Sequence, residues 1–259
     1  MQGTEARRHE GTKGVALVTG GAKRVGRAIV LELARAGYEI ALHFGASRGD
    51  AKKTADDVLA LGRRCALIEG DLADPDTWPQ VVNRAVAELG RLDVLVNNAS
   101  MFDARSPQER GKTASTYDAV EWDDLFRVNA TAPSGLCHFA RPHLEAGGRG
   151  RIVNICDIAA ERPWPGYLSY CASKAALVAI TRGLAIAYAP KVTVNGVSPG
   201  IAIFPEQYPP DLQQKLISQV PLQRAGTPED IARLVRYLVE SGDYITGQII
   251  AVDGGRSLV

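Results

Sequence analysis

The chain has 259 residues, with 30 Lys+Arg against 29 Asp+Glu and a formal net charge of +1, which excludes a polybasic nucleic-acid binder. Hydrophobic residues at 46% and charged residues at 23% supply enough apolar side chain for a sizeable core, unlike a disordered chain.

Residues 1–13 mix Glu5, Arg7, Arg8, Glu10 and Lys13 and lack the apolar segment of a secretory signal, so they are expected to form a flexible tail before one domain over 14–259. Strands are expected at Val15–Thr19, Glu39–Phe44, Cys65–Glu69, Leu92–Val96, Arg151–Ile155, Val192–Val197 and Gln248–Val252. Between them, helix-type spacing covers Arg27–Ala36, Asp50–Leu61, Thr77–Leu89, Asp123–Arg141, Ser169–Tyr188 and Pro228–Glu240. Asp74 and Thr227 precede Pro75 and Pro228, as N-cap and N1 residues do. Consecutive apolar residues, as in Val15-Ala16-Leu17-Val18, mark strands covered on both faces. The alternation predicts an α/β chain with a single doubly wound, mainly parallel sheet of about seven strands, helices on both faces, and a ligand crevice at the carboxyl ends of the strands. The segments Asp103 to Thr116 and Gly200 to Pro210 break the rhythm and are expected to border that crevice. No apolar run approaches the roughly 18 residues of a membrane span. The 4 Cys, at positions 65, 137, 156 and 171, have neither metal-site nor disulfide-scaffold spacing, so a reduced, cytoplasmic protein without a metal is expected.

The first strand runs into Thr19-Gly20-Gly21-Ala22-Lys23-Arg24-Val25-Gly26, after which a helix begins. A strand, a glycine-rich turn and a helix N-terminus together form an anion site suited to a pyrophosphate. A tight turn without a ligand would look similar. An NAD-selective site would place a carboxylate at the end of the second strand, but this chain reads Leu42-His43-Phe44-Gly45-Ala46-Ser47-Arg48, with no carboxylate before Asp50. Arg24, His43, Ser47 and Arg48 instead offer donors for a 2′-phosphate, which favours NADP(H).

Tyr170 and Lys174 share one face of a helical stretch. A cation beside a phenol lowers its pKa and readies it as a general acid. Such a pair alone also describes an ordinary surface contact.

Thr19-Gly20 with Gly26, Asn97-Asn98-Ala99, Asn129, Tyr170-x-x-x-Lys174 and Ser198-Pro199-Gly200 together resemble the short-chain dehydrogenase/reductase family, over nearly the whole chain. The resemblance implies a Rossmann-type domain, usually a tetramer, in which Tyr170 is the proton donor or acceptor and Lys174 holds the nicotinamide ribose. Asn129 would hold a water in the proton relay. The turn, through Gly20, Arg24, Val25 and Gly26, and the second-strand segment, through His43, Phe44 and Ser47, would hold the cofactor. Asp71 and Leu72 would lie near the adenine, Asn98, Ala99 and Ser100 along the ribose, and Pro199 and Gly200 against the nicotinamide.

Arg24 stands where most members have Gly, and Asp157 stands where most have Ser, thirteen residues before the Tyr. Both look like the pteridine reductase branch, which includes dihydromonapterin reductases, as do Asn98-Ala99-Ser100-Met101-Phe102 and the Asp253-Gly254-Gly255-Arg256-Ser257-Leu258 end. Independently of the resemblance, a carboxylate near the phenol raises its pKa and favours the protonated acid that reduction needs, and it can accept from the N–H groups of a pterin. By resemblance, Phe102 would stack the pterin, Arg24 would bridge cofactor phosphate and substrate, and Ser100, Asp157 and Tyr170 would complete the substrate site. The C-terminal Arg with which some pteridine reductases reach a neighbouring subunit is not carried over, because Arg256 is out of register with it. The expectation is therefore an NADPH-dependent pteridine reductase acting on a small molecule. Its rivals are a carbonyl reductase for a ketone or 3-oxoacyl group, and a non-catalytic NADP(H)-binding protein.

Overall fold

Seven strands, all parallel, line up in the order β3-β2-β1-β4-β5-β6-β7. The computed structural model describes residues 11–102 and 117–259. In chain order the first half is β1 (Gly14–Val18), α1 (Arg24–Arg35), β2 (Tyr38–Phe44), α2 (Arg48–Ala60), β3 (Cys65–Glu69), α3 (Thr77–Leu89) and β4 (Val94–Asn97). The second half is α4 (Ala119–Phe126), α5 (Ala132–Ala146), β5 (Gly150–Ile155), α6 (Leu168–Tyr188), β6 (Val192–Pro199), α7 (Pro210–Ser218), α8 (Pro228–Glu240) and β7 (Ile249–Val252). The strand order reverses between β1 and β4, and the crevice opens above their carboxyl ends.

Alternate strand residues serve opposite faces. Ala16, Val18 and Val96 meet Ile29, Val30 and Leu33 of α1 and Val235 and Leu238 of α8. Leu17, Leu95 and Ile152 meet Val82 and Ala85 of α3 and Leu136, Ala140 and Leu144 of α5. Leu17, Leu95 and Ile152 are almost wholly buried, worth about 1.5–3 kcal/mol each. Thr227 caps α8 through a reciprocal box with Asp230, ahead of Pro228.

Three readings of the sequence need correction. Asp74 does not cap a helix starting at Pro75: its Oδ1 accepts from Asp76 N in a local turn, and α3 begins only at Thr77. The helix expected over Asp123–Arg141 starts at Ala119, runs to Ala146, and is interrupted by a π turn at Arg127–Thr131. In that turn the Ala132 N–H donates to the Arg127 carbonyl, five residues back, and Pro133, which has no N–H to give, stands in the first turn of the α-helix that follows. Helix α7 was not anticipated: it buries no residue and so carries no apolar stripe to read. Helix α6 has the length and mean hydropathy, 1.2, of a membrane span, but it packs inside the fold with Tyr170, Lys174 and Leu177 buried, as a core helix does. The expected tail lies mostly outside the described residues, as does the expected crevice loop 103–116.

Candidate active site

The Gly-rich turn leaves β1 with Gly20 at φ +62° and delivers Gly26 into the first turn of α1. A Cβ on Gly26 would lie 2.1 Å from the Gly20 carbonyl oxygen, so only glycine lets the turn close this tightly. Asn98, just after β4, donates Nδ2 to the carbonyls of Thr19 (2.9 Å) and Gly20 (3.1 Å). Thr19 Oγ1 accepts from Asn98 N (2.9 Å) and Ala99 N (3.0 Å), tying β1 and β4 together across the reversal point. Lys23 precedes α1 without any side-chain cap, so the first N–H groups of the helix remain available to an anion. A cradle that a Cβ would fill, beside uncapped helix N–H groups, fits a dinucleotide's phosphates. Arg24 and Val25 stand at this helix start, Arg24 exposed and at φ +54°, the backbone conformation glycine tolerates best.

Of the second-strand residues, His43 has both ring nitrogens engaged within the fold. His43 is 2% exposed; its Nδ1 accepts from Gly20 N (3.3 Å) and its Nε2 donates to Gly70 O (3.1 Å). Burial lowers its pKa to about 4, so it is a neutral strut between the turn and the segment after β3, with no charge or free donor for a 2′-phosphate. Phe44 is buried as well, and the Arg48 guanidinium lies 5.9 Å from its ring centre while pairing with Glu69. Ser47 is half-buried at the start of α2, with no cap bond from its hydroxyl. Asp71 is exposed and accepts from Ala73 N (2.9 Å), whereas Leu72 is buried in the core under α3. Pro199 ends β6, and Gly200 N donates to Val252 O (3.1 Å) of the neighbouring strand end.

The reacting groups converge between β5 and α6. Tyr170 donates its hydroxyl to Asp157 Oδ2 at 2.7 Å. Asp157 Oδ1 accepts from Ala159 N (2.8 Å), capping the 3₁₀ turn Ile158–Ala160, so one oxygen serves the scaffold and the other serves the phenol. Lys174 is 3% exposed, donates to Ile155 O at 3.0 Å, and lies 5.9 Å from the Tyr170 ring centre. Burial and the adjacent Asp157 hold the Tyr170 phenol well above its ordinary value. Lys174 was expected to pull that phenol down; burial and the carboxylate outweigh it, and burial lowers the pKa of Lys174 itself. Burial also raises the Asp157 carboxyl, against the opposing pull of the Ala159 amide, the Tyr170 hydroxyl and Lys174.

Asn129 is 1% exposed in the π turn. Its Nδ2 donates to Met101 O (3.0 Å) and Ser173 Oγ (3.1 Å), and its Oδ1 accepts from Met101 N (2.7 Å) and Ser100 Oγ (3.1 Å). The side-chain amide is saturated and clamps Ser100–Met101 to α6. Phe102, 37% exposed, sets its ring 4.8 Å from that of Tyr170 and stacks on Tyr167 at 5.5 Å. The hydroxyls of Thr19 and Ser173 were missed as site residues; Ser173 Oγ also donates to Tyr170 O at 2.7 Å. Only the position of Thr19 at the end of β1 could have signalled its role.

A phosphate cradle facing a buried phenol and ammonium across one crevice defines a dinucleotide-linked oxidoreductase. The chain belongs to the short-chain dehydrogenase/reductase family: a family model described as "Enoyl-(Acyl carrier protein) reductase" matches residues 20–257. It is similar to the 3-oxoacyl-[acyl-carrier-protein] reductase FabG of Staphylococcus aureus, 32% identical over 93% of this chain and 96% of the relative. It is also similar to the short-chain dehydrogenase/reductase FrzI of a Cladobotryum species, 34% identical over 93% of this chain and 94% of that one. Among solved structures, it resembles FolM alternative dihydrofolate reductase 1 from Brucella suis in complex with NADP, at TM-score 0.87 and 35% identity, covering 95% of this chain and 96% of that one.

Proposed function

We propose that this chain is an NADPH-dependent reductase of a pteridine ring, converting a dihydropterin or dihydrofolate to its tetrahydro form. One observation carries the reading: the Tyr170 hydroxyl is bonded to a carboxylate, Asp157, at 2.7 Å, where a hydroxyl is usual in the family. When bound, the cofactor supplies a hydride to a ring carbon. Tyr170 gives its proton to the adjacent ring nitrogen, completing the reduction of one C=N bond. Asp157 opposes the phenolate and so keeps the acid loaded; its oxygens also suit the amino and ring N–H groups of a pterin, which no ketone carries. Phe102 offers a flat face beside Tyr170 for a heterocycle, and Arg24, exposed at the start of α1, would bridge cofactor phosphate and substrate. Lys174 holds the cofactor ribose, with Asn98, Ala99, Ser100, Pro199 and Gly200 along the crevice. The likeness to a FolM dihydrofolate reductase bound to NADP supports both the substrate class and the cofactor. Assembly as a homotetramer accords with the large apolar side chains left exposed on the single chain, such as Ile186 and Tyr244, and four free cysteines suit a reducing cytoplasm.

The likeness to FabG favours a second reading, a 3-oxoacyl reductase using the same Tyr170 and Lys174. Following NADPH consumption with dihydrobiopterin, dihydrofolate and a panel of ketones including a 3-oxoacyl thioester separates the two. Turnover of pterins is expected; turnover of ketones alone overturns the proposal, and silence with every substrate leaves a cofactor-binding protein.

A further inference from the structure

Beside the reactive pair lies a cleft of about 740 Å³. Its inner wall is the back of the active site: Ile158 follows Asp157 directly, and Trp164 stacks on Tyr170 with ring centres 6.3 Å apart. Its outer wall comes from two elements far apart in sequence, the segment following α7, with Gln219 and Val220, and Arg256 from the turn after β7. Among the described residues no Asp or Glu side chain lines it, while Arg162 and Arg256 do.

The two arginines are not equivalent. Arg162 is spent on the backbone, donating to the carbonyls of Ser257 and Val259 and so fastening the chain end against the cleft. Among the described residues Arg256 makes two long contacts, to Leu216 O and Gln219 Oε1, both at 3.4 Å. Asp253, the nearest acid in sequence, is turned onto the amides of Gly255 (2.9 Å) and Ser257 (2.7 Å) instead of onto the guanidinium. Among the described residues no carboxylate lies within ion-pair reach of Arg256. A half-buried guanidinium held by two weak neutral contacts is a donor fork without an anion. It nevertheless lies close enough to Asp157 for each to feel the other's charge.

We propose that Arg256 forms an anion subsite at the outer end of the cleft, receiving a carboxylate carried on the side chain of the substrate. This rests on the pteridine reading and refines it: the preferred substrate is a pteridine bearing an acidic tail, not one with a neutral polyol. Asp157 repels an anion from the reacting end, whereas Arg256 attracts one at the other, so the pair also fixes which way round the substrate enters. Trp164 and Val220 line the same cleft as Arg256 and give the substrate's tail an apolar wall.

The test is steady-state kinetics of the wild-type protein and Arg256→Gln with two substrates sharing a ring: dihydrofolate, with a carboxylate tail, and dihydrobiopterin, with a neutral one. The expected result is a rise of about tenfold in KM for dihydrofolate, with kcat, the KM for dihydrobiopterin and the Kd for NADPH each within twofold of wild type. An equal change for both pterins, or none for dihydrofolate, overturns the subsite and leaves the pteridine reading standing. Wild-type protein that reduces neither pterin removes that reading, and the subsite falls with it.

Discussion

At the turn between β1 and α1, geometry is held by neutral hydrogen bonds and tight backbone packing: Asn98 and Thr19 strap the strands, neutral His43 props Gly20, and Gly26 leaves no room for a side chain. Between β5 and α6, three ionisable groups, Asp157, Tyr170 and Lys174, are drawn into a poorly solvated space where Asp157 alters the protonation of both the others. The first region is a shape that accepts a charged ligand. The second is an electrostatic device whose output is a phenol that keeps its proton. Damage to the first should therefore appear in cofactor binding and stability, and damage to the second in turnover and its pH dependence.

The largest effect belongs to the second region. Tyr170→Phe removes the acid while keeping the ring, so turnover should drop by roughly 10²–10⁴ with NADPH Kd, read by fluorescence titration, within twofold of wild type. A comparable loss of cofactor affinity would mean the two regions are not separable. Next is Gly26→Ala, whose Cβ would be driven against the Gly20 carbonyl. It should weaken NADPH binding at least tenfold and lower unfolding stability by about 1–3 kcal/mol, read by denaturant titration. Unchanged binding would show that the turn is a plain connection. The smallest effect is expected at Arg24, which adopts φ +54° at some conformational cost. Arg24→Gly should stabilise the fold by about 1 kcal/mol while raising KM for NADPH, a split between strain and function at one residue.

Legibility from sequence divides along the same line. The β1–α1 turn is visible because its physics is local: contiguous glycines between a strand and a helix leave a pattern. Strands fully buried between two helical layers were legible for the same reason, whereas α7, which buries nothing, was not. The spacing of Tyr170 and Lys174 could be read, and so could an acid at Asp157. The winner of the contest between Lys174 and Asp157 over the phenol could not, since it depends on burial and on a 2.7 Å contact between two elements. His43 misled because a histidine at a strand end reads as a donor until Gly20 and Gly70 are seen to occupy both nitrogens. The clamp that the Asn129 amide makes with Ser100, Met101 and Ser173 joins three separate elements, and no local pattern announces it. The role of Arg256 depends on the meeting of the β7 turn with the end of α7, a juxtaposition no local pattern announces.

Asp157→Ser, which restores the side chain usual in the family, probes the central claim most directly. The quantity to measure is kcat/KM for dihydrobiopterin and for a 3-oxoacyl thioester, across pH, in the wild-type and variant proteins. Loss of a charged hydrogen-bond partner, worth about 1.5–3 kcal/mol, should cut pterin reduction ten- to a hundredfold while sparing the thioester and NADPH affinity. Because Asp157 raises the Tyr170 pKa, its removal should also move the alkaline fall in rate, where the phenol gives up its proton, to lower pH. Equal losses for both substrates, with the alkaline fall unmoved, would contradict the account and reduce Asp157 to the cap of a 3₁₀ turn.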